Sequence, residues 1–321
     1  MSIKGKKFAD DGWALWIDGD DVSTVYFHDW MNPKGKSFID ISIKIVGIKQ
    51  TDNINLYVPF RITADEIEDI SLKFDDEAIT RAIFSSGCIV DYMKNEYTSE
   101  MAYNGKIVDI MHISKMNPKL IDMSDGTLLT VEYSEIQDYI DNDEGYFSFR
   151  LPHKSLDKVF RSYKSADSFL TRAREVITTP VLSEKYGYSI RMNEARNLPT
   201  EINKKGAFHR QKLKKTVVTV SLDENYEIND ANCFQIRRLE EELYQDFVPQ
   251  KFNCKNVITY QWKEVRKEKT LKGKFNFYLS ITRNSVSAVS MLVYMILLLI
   301  VGAGGDFFAE FIRWIVSLFN L

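Results

Sequence analysis

Histidine and cysteine are scarce in this chain of 321 residues, with four of the first and three of the second. Cys88, Cys233 and Cys254 are far apart and odd in number, so they form no disulfide framework, and a reducing environment is expected. Cys88, within Ser85-Ser-Gly-Cys-Ile-Val90, reads as a small buried thiol. His28, His112, His153 and His209 are scattered, with no HExxH and no CxxC, so no metal site is expected. Asp18-Gly-Asp20-Asp21 has the oxygens a hard cation needs but reads as an acidic turn. The phosphate cradles GxxxxGK[ST] and GxGxxG are missing, as is the nucleophile elbow GxSxG. Neither an enzyme nor a cofactor is expected. The N-terminus starts with charge but lacks an apolar stretch, so no signal peptide is expected there.

Charge is missing altogether from Asn284 to Gly305. An uncharged run of about 20 residues, at ~1.5 Å each, matches a hydrocarbon layer of ~30 Å, which predicts a transmembrane helix. After Gly302-Ala-Gly-Gly305, the segment 306–321 predicts a second, amphipathic helix. Asp306, Glu310, Arg313, Ser317 and Asn320 fall on one stripe of it, opposite Phe, Ile, Trp, Val and Leu. That helix either lies at the lipid interface or lines a polar path between several copies. Glu310 and Arg313, three apart, are also spaced to pair with each other. Ser287, Ala288 and Ser290, or Gly302, Gly304 and Gly305, would let helices approach closely. Residues 263–283 carry seven Lys/Arg against two acids. The positive-inside rule therefore keeps that flank, and the soluble region, in the cytoplasm, with the tail in the inner membrane.

The net charge of −3 hides segregation. Residues 1–149 hold 14 Lys/Arg against 27 Asp/Glu, whereas residues 150–215 hold 16 against 6. Within the basic block, residues 203–215 contain no acid. Lys204, Lys205, Arg210, Lys212, Lys214 and Lys215, with Phe208 among them, offer charge for phosphates and a ring for stacking. Gly206 would allow close approach to a phosphate. Arg161, Lys164, Arg172 and Arg174 would extend that surface. The alternative is a solvated loop, or one facing the acidic first 149 residues.

The body reads as α+β and mostly β-rich, sandwich- or barrel-like, with short helices. Ile39-Asp-Ile-Ser-Ile-Lys-Ile45 alternates at period 2, the mark of a half-buried strand. Strands are also expected at 22–27, 54–60, 106–113, 126–133, 146–151, 187–192, 216–222, 257–265 and 274–282. Asn32-Pro33-Lys-Gly35 is the expected first turn. Helices are expected at 63–72, opened by the capping box Thr63-Ala-Asp-Glu66, and at 76–84, 134–140, 155–174 and 236–247. The expected divisions are an acidic β-rich domain at 1–152 and a basic connection at 153–215. A second β-rich part at 216–283 and the membrane module at 284–321 follow.

In layout, a large cytosolic β-rich region, a basic patch and a minimal membrane tail with a polar stripe, the chain resembles transmembrane effectors of bacterial anti-phage defence, including the Hailong type. The resemblance implies a soluble sensor that controls a small membrane domain. It implies a homo-oligomeric ion channel or pore, a tetramer being the first count to test, with a nucleotide or oligonucleotide as the ligand. The alternative is a membrane-tethered binding or adaptor protein with a passive anchor.

Overall fold

The computed structural model describes residues 9–19, 22–84, 89–91, 94–103, 105–133, 137–157, 182–228, 232–249, 252–267, 272–285 and 288–319. In chain order come β1 (Ala9–Asp18), β2 (Val22–Trp30), β3 (Phe38–Val46), β4 (Asn53–Val58) and β5 (Glu68–Asp69). Then follow α1 (Glu77–Phe84), β6 (Ile89–Asp91), β7 (Thr98–Tyr103), β8 (Lys106–Met111), β9 (Lys119–Asp122), β10 (Thr127–Glu132) and β11 (Glu144–Pro152). The second half has β12 (Leu182–Met192), α2 (Thr200–Lys205), β13 (Lys212–Asp223), β14 (Tyr226–Ile228) and β15 (Gln235–Arg238). It closes with α3 (Glu241–Tyr244), β16 (Val257–Val265), β17 (Phe275–Ser285) and α4 (Ala288–Phe319).

The fold is α+β with mostly β structure, as its composition suggests. A seven-stranded sheet runs β14-β17-β12-β1-β4-β10-β9, and a ten-stranded sheet runs β15-β16-β13-β2-β3-β11-β8-β7-β6, with β5 beside β11. Side chains alternate across a strand, and one face of each sheet meets the same apolar core. Ile39, Ile41, Ile43 and Ile45 of β3 share that core with Trp13 and Leu15 of β1, Leu56 of β4 and Ile190 of β12. The two β-rich stretches are not separate bodies. Parallel β1–β12 and β2–β13 pairs build each sheet from both.

Several local expectations change. The capping box at Thr63 and Glu66 is present, but it opens a single 3-10 turn at Ala64–Glu66. The strand β5 and a second 3-10 stretch, Ile70–Asp75, come next. The helix expected at 236–247 is strand β15, paired with β16, followed by the short α3. Its apolar spacing, Leu239, Leu243 and Phe247, is explained by packing on one core cluster, with Leu239 and Phe247 buried and Leu243 partly so. Of the helix expected at 134–140, residues 134–136 lie outside the described residues and Gln137–Tyr139 is a 3-10 turn. That expected at 155–174 lies mostly outside the described residues, together with Arg161, Lys164, Arg172 and Arg174.

The largest change is at the tail. The expected break at Gly302–Gly305 does not occur, and α4 is one continuous helix of 32 residues. Glycine in a helix costs only ~1 kcal/mol each relative to alanine, and no proline stands there to stop the chain. A separate amphipathic helix is thereby replaced by the far half of the same rod.

One buried cation is Arg150, 1% exposed on β11. It donates from Nε to Asp40 Oδ1 at 2.5 Å, and from Nη2 to Asp40 Oδ2 and to the Phe247 carbonyl, both at 2.9 Å. Trp30 Nε1 also donates to Asp40, at 2.7 Å. Removing one partner of such a pair strands the other charge, at a cost of about 3–5 kcal/mol. Arg150→Ala is expected to lower the thermal midpoint of the protein sharply, and Asp40→Asn with Arg150→Met to recover most of the loss. An Arg150→Ala variant that melts like the wild type contradicts this role.

Candidate functional site

The polar face of the ten-stranded sheet is roofed rather than open, and a cavity of about 330 Å³ lies beneath the roof. Alternation supplies its floor: Tyr26 and His28 from β2, Asp40, Ser42 and Lys44 from β3, and Tyr146 and Ser148 from β11. Lys215 and Thr219 of β13, and Gln261 and Lys263 of β16, continue it. Strand register brings these residues together. Tyr26 stands opposite Ser42 and Val217, Ser42 opposite Ser148, and Val217 opposite Lys263. The roof comes from Ile70 and Phe74, Ile83 and Phe84 of α1, Arg237 of β15, Tyr244 of α3, and Phe247. Tyr244 ties α3 to α1 by donating its hydroxyl to the Ala82 carbonyl at 3.3 Å.

The cavity is electropositive. Asp40, the one carboxylate among its described lining residues, is paired with Arg150. Four cations line it, Lys44, Lys215, Arg237 and Lys263. Lys44 pairs with Glu144 at 2.6 Å. Among the described residues, neither Lys215 nor Lys263 has a carboxylate partner. Each sits instead over a ring, Lys215 Nζ 5.0 Å from the centre of Tyr26 and Lys263 Nζ 5.5 Å from that of Phe234. Burial lowers the pKa of the Lys215 ammonium, and the charges of Lys263 and Lys44 lower it further. His28 is held neutral, its pKa lowered to about 3 by burial and by the nearby Arg150 and Arg237 charges. Its Nε2 is hydrogen-bonded to Ser221 Oγ at 2.8 Å, which in turn meets Thr259 Oγ1 at 2.8 Å. Its ring stacks on Trp30 at 4.1 Å.

The cavity floor also touches the strand that leads to the tail. Gln261 and Lys263 face the cavity, whereas Trp262 between them faces the core, 5.0 Å from Phe277 of β17 in an edge-to-face contact. Thr282 and Ser285, farther along β17, pair with Lys185 and Leu182 of β12 shortly before α4 begins.

The basic segment singled out in the sequence is divided. Lys204 and Lys205 are exposed on α2, and Gly206, at φ 61°, terminates that helix. Phe208 is 1% exposed and packs with Trp16, Tyr57 and Ile202, so its ring is closed to stacking. Arg210 and Lys212 line a different cleft, with Asp18 and Asp52. Lys214 is exposed on β13, and of the seven candidates Lys215 alone reaches the cavity. Tyr26, Lys44, Ser148, Phe234, Arg237 and Lys263 were not singled out. The available signal was polar residues at every second position of otherwise apolar strands.

The polar stripe of the tail lies on α4, where Glu310, Arg313 and Ser317 are exposed. Ser317 Oγ donates back to the Trp314 carbonyl at 2.7 Å. Of Asp306 only the backbone is described, and Asn320 lies outside the described residues.

Two carboxylate–histidine clusters appear that no sequence spacing reveals. His153 Nδ1 meets Asp29 Oδ1 at 2.8 Å, and the Tyr188 hydroxyl donates to Asp29 Oδ2 at 3.1 Å. Ser71 Oγ donates to Asp69 and is 3.0 Å from His112 Nδ1, whose Nε2 is 2.8 Å from Ser99 Oγ. Both histidines have no exposed surface, so a substrate does not reach them. They satisfy buried polar groups. Among the described residues no group of His, Cys, Asp and Glu is arranged to hold a metal.

The neutral His28 gives a pH signature. Its pKa is lower folded than unfolded, so the unfolded chain takes up a proton below about 6.5 that the folded chain refuses until about 3. The stability advantage of wild type over His28→Gln should therefore shrink as pH falls from about 6.5 toward 3. A gap independent of pH, followed by thermal unfolding, contradicts a buried neutral imidazole.

No family model and no curated protein matches the chain. Among solved structures, it is compared with the Fcho1 Mu homology domain of Danio rerio with a bound Eps15 peptide, at 8% identity, over 86% of this chain and 81% of that one. The TM-score is 0.13, at which the likeness bears on neither fold nor function.

Proposed function

We propose that this chain is a ligand-controlled membrane effector, in which several copies assemble through α4 into an ion-conducting pore and occupancy of the cavity biases it. The observation that carries the reading is the nakedness of α4. None of the apolar window Tyr294–Ile315 is buried, and Leu299 and Phe307 are 73% and 79% exposed. Apolar surface left in water forgoes about 25 cal/mol per Å², so such a rod calls for lipid or for its own copies. Its 32 residues reach ~48 Å, longer than a ~30 Å hydrocarbon layer.

Because the helix continues through its glycines, its far half is read as an extension of the spanning segment and not as a separate interfacial helix. The polar residues Glu310, Arg313 and Ser317 continue along the same helix. Charges at membrane depth are costly unless they face water or each other, which several helices around an axis provide. A Cβ added at Gly302, Gly304 or Gly305 meets nothing within 4 Å, leaving room for close helix approach. The body, whose two sheets share one core, is read as a β-sandwich on the cytoplasmic side of the inner membrane. Anti-phage defence is the setting that the layout suggests. Control requires the ligand to bind the open and closed states with different affinity. The contact of Trp262 with Phe277 offers a path from the cavity floor to β17.

The test is ion flux from liposomes containing the full chain. Wild type is expected to conduct, Glu310→Leu to insert but conduct at least ten-fold less, and replacement of residues 284–321 by an unrelated single-span anchor to abolish flux. Inserted wild-type protein that never conducts, with cellular activity surviving the anchor swap, means a passive tether and an adaptor instead.

A further inference from the structure

We propose that the cavity on the ten-stranded sheet is a recognition site for a singly phosphorylated aromatic compound of nucleoside-monophosphate size. Its phosphate would sit among Lys215, Lys263 and Lys44, with its ring against Tyr26 and Phe234. This identifies the ligand class for the sensing half of the proposed function and is independent of the pore half.

Size comes first. About 330 Å³ is at the small end of the ~300–1,000 Å³ typical of ligand pockets, which suits one nucleotide unit rather than a chain of them. Sign comes second. The cavity carboxylate is consumed by Arg150, whereas Lys215 and Lys263 keep charges with no acidic partner among the described residues. Lys215, partly buried over Tyr26 and depressed by burial and by the Lys263 and Lys44 charges, would be relieved by an anion placed among these ammonium groups. Phosphate, with three acceptor oxygens, can meet several donors at once.

The ring follows from what surrounds those cations. Each unpaired lysine is already seated over an aromatic face, and a base or other aromatic ring stacks on such a face regardless of its identity. The floor adds neutral hydrogen-bonding groups in reach of a ring's edge. The Ser42 and Ser148 hydroxyls are 2.8 Å apart, and Gln261 Nε2 lies 3.4 Å from Thr219 Oγ1. An alkyl tail would press methylenes on these groups, which burial without hydrogen bonds makes unfavourable.

The experiment is isothermal titration of the full chain in detergent with AMP, GMP, CMP and UMP, and with adenosine and inorganic phosphate as partial probes. At least one monophosphate is expected to bind ten-fold or more tighter than inorganic phosphate, with AMP outbinding adenosine by at least as much if adenine is the base. Binding should weaken as salt is raised. Lys215→Gln and Lys263→Gln should each weaken the preferred monophosphate at least ten-fold. Lys119→Gln, in an exposed pair with Glu132 on the other sheet, should not. Because Lys215→Gln removes a charge that faces Lys263 and Lys44, its thermal midpoint should equal or exceed that of wild type, which separates lost binding from lost folding. The proposal is overturned if no monophosphate binds, if inorganic phosphate binds as tightly as all of them, or if both cavity variants bind unchanged. Flux without nucleotide binding removes this inference and leaves the pore, whereas binding without flux does the reverse.

Discussion

The ion pair between Arg150 and Asp40 decides both the shape and the charge of this protein's cavity. Arg150 reaches from β11 to Asp40 directly opposite on β3, and upward to the Phe247 carbonyl in the roof, while Glu68 approaches it at 3.4 Å. It thereby clamps the roof to the floor. Burying such a pair contributes little net stability compared with apolar packing, because both ions lose their water. Its consequence is a cavity whose remaining charges are all positive. A carboxylate left free at position 40 would have satisfied the lysines around it.

Much of the sheet framework was legible in the residues. Ile39, Ile41, Ile43 and Ile45 alternate with Asp40, Ser42 and Lys44, and β3 does present its isoleucines to the core. What alternation does not reveal is what the other face meets. Asp40 and Ser42 read as solvent-facing, yet they are 4% and 8% exposed because α1, α3 and the turn at 70–75 close over them. A period of two specifies two faces and leaves the second one's neighbours to tertiary packing. The same pattern does not mark Lys44 and Lys263 as neighbours around one cavity.

The basic run is dispersed for a related reason. Residues adjacent in sequence were pooled, but a helix stop at Gly206, a buried Phe208 and the start of β13 send them to different surfaces. Lys215 joins the cavity because strand geometry points it there, beside Tyr26. In the tail the uncharged run was a sound guide to an apolar helix. The glycine cluster misled, since glycine weakens a helix only modestly and α4 has strong helix formers on both sides.

These features make one chain of cause. A neutralised carboxylate leaves a basic, aromatic cavity, and its floor strand β16 packs by Trp262 on Phe277 of β17. From β17 the chain passes into a naked apolar helix. Single-particle imaging of the full chain in lipid nanodiscs with a nucleoside monophosphate tests that sequence most directly. The account predicts helices gathered about an axis within the bilayer, with ligand density between Lys215 and Lys263 outside it. A lone helix per disc beside an empty cavity would contradict it.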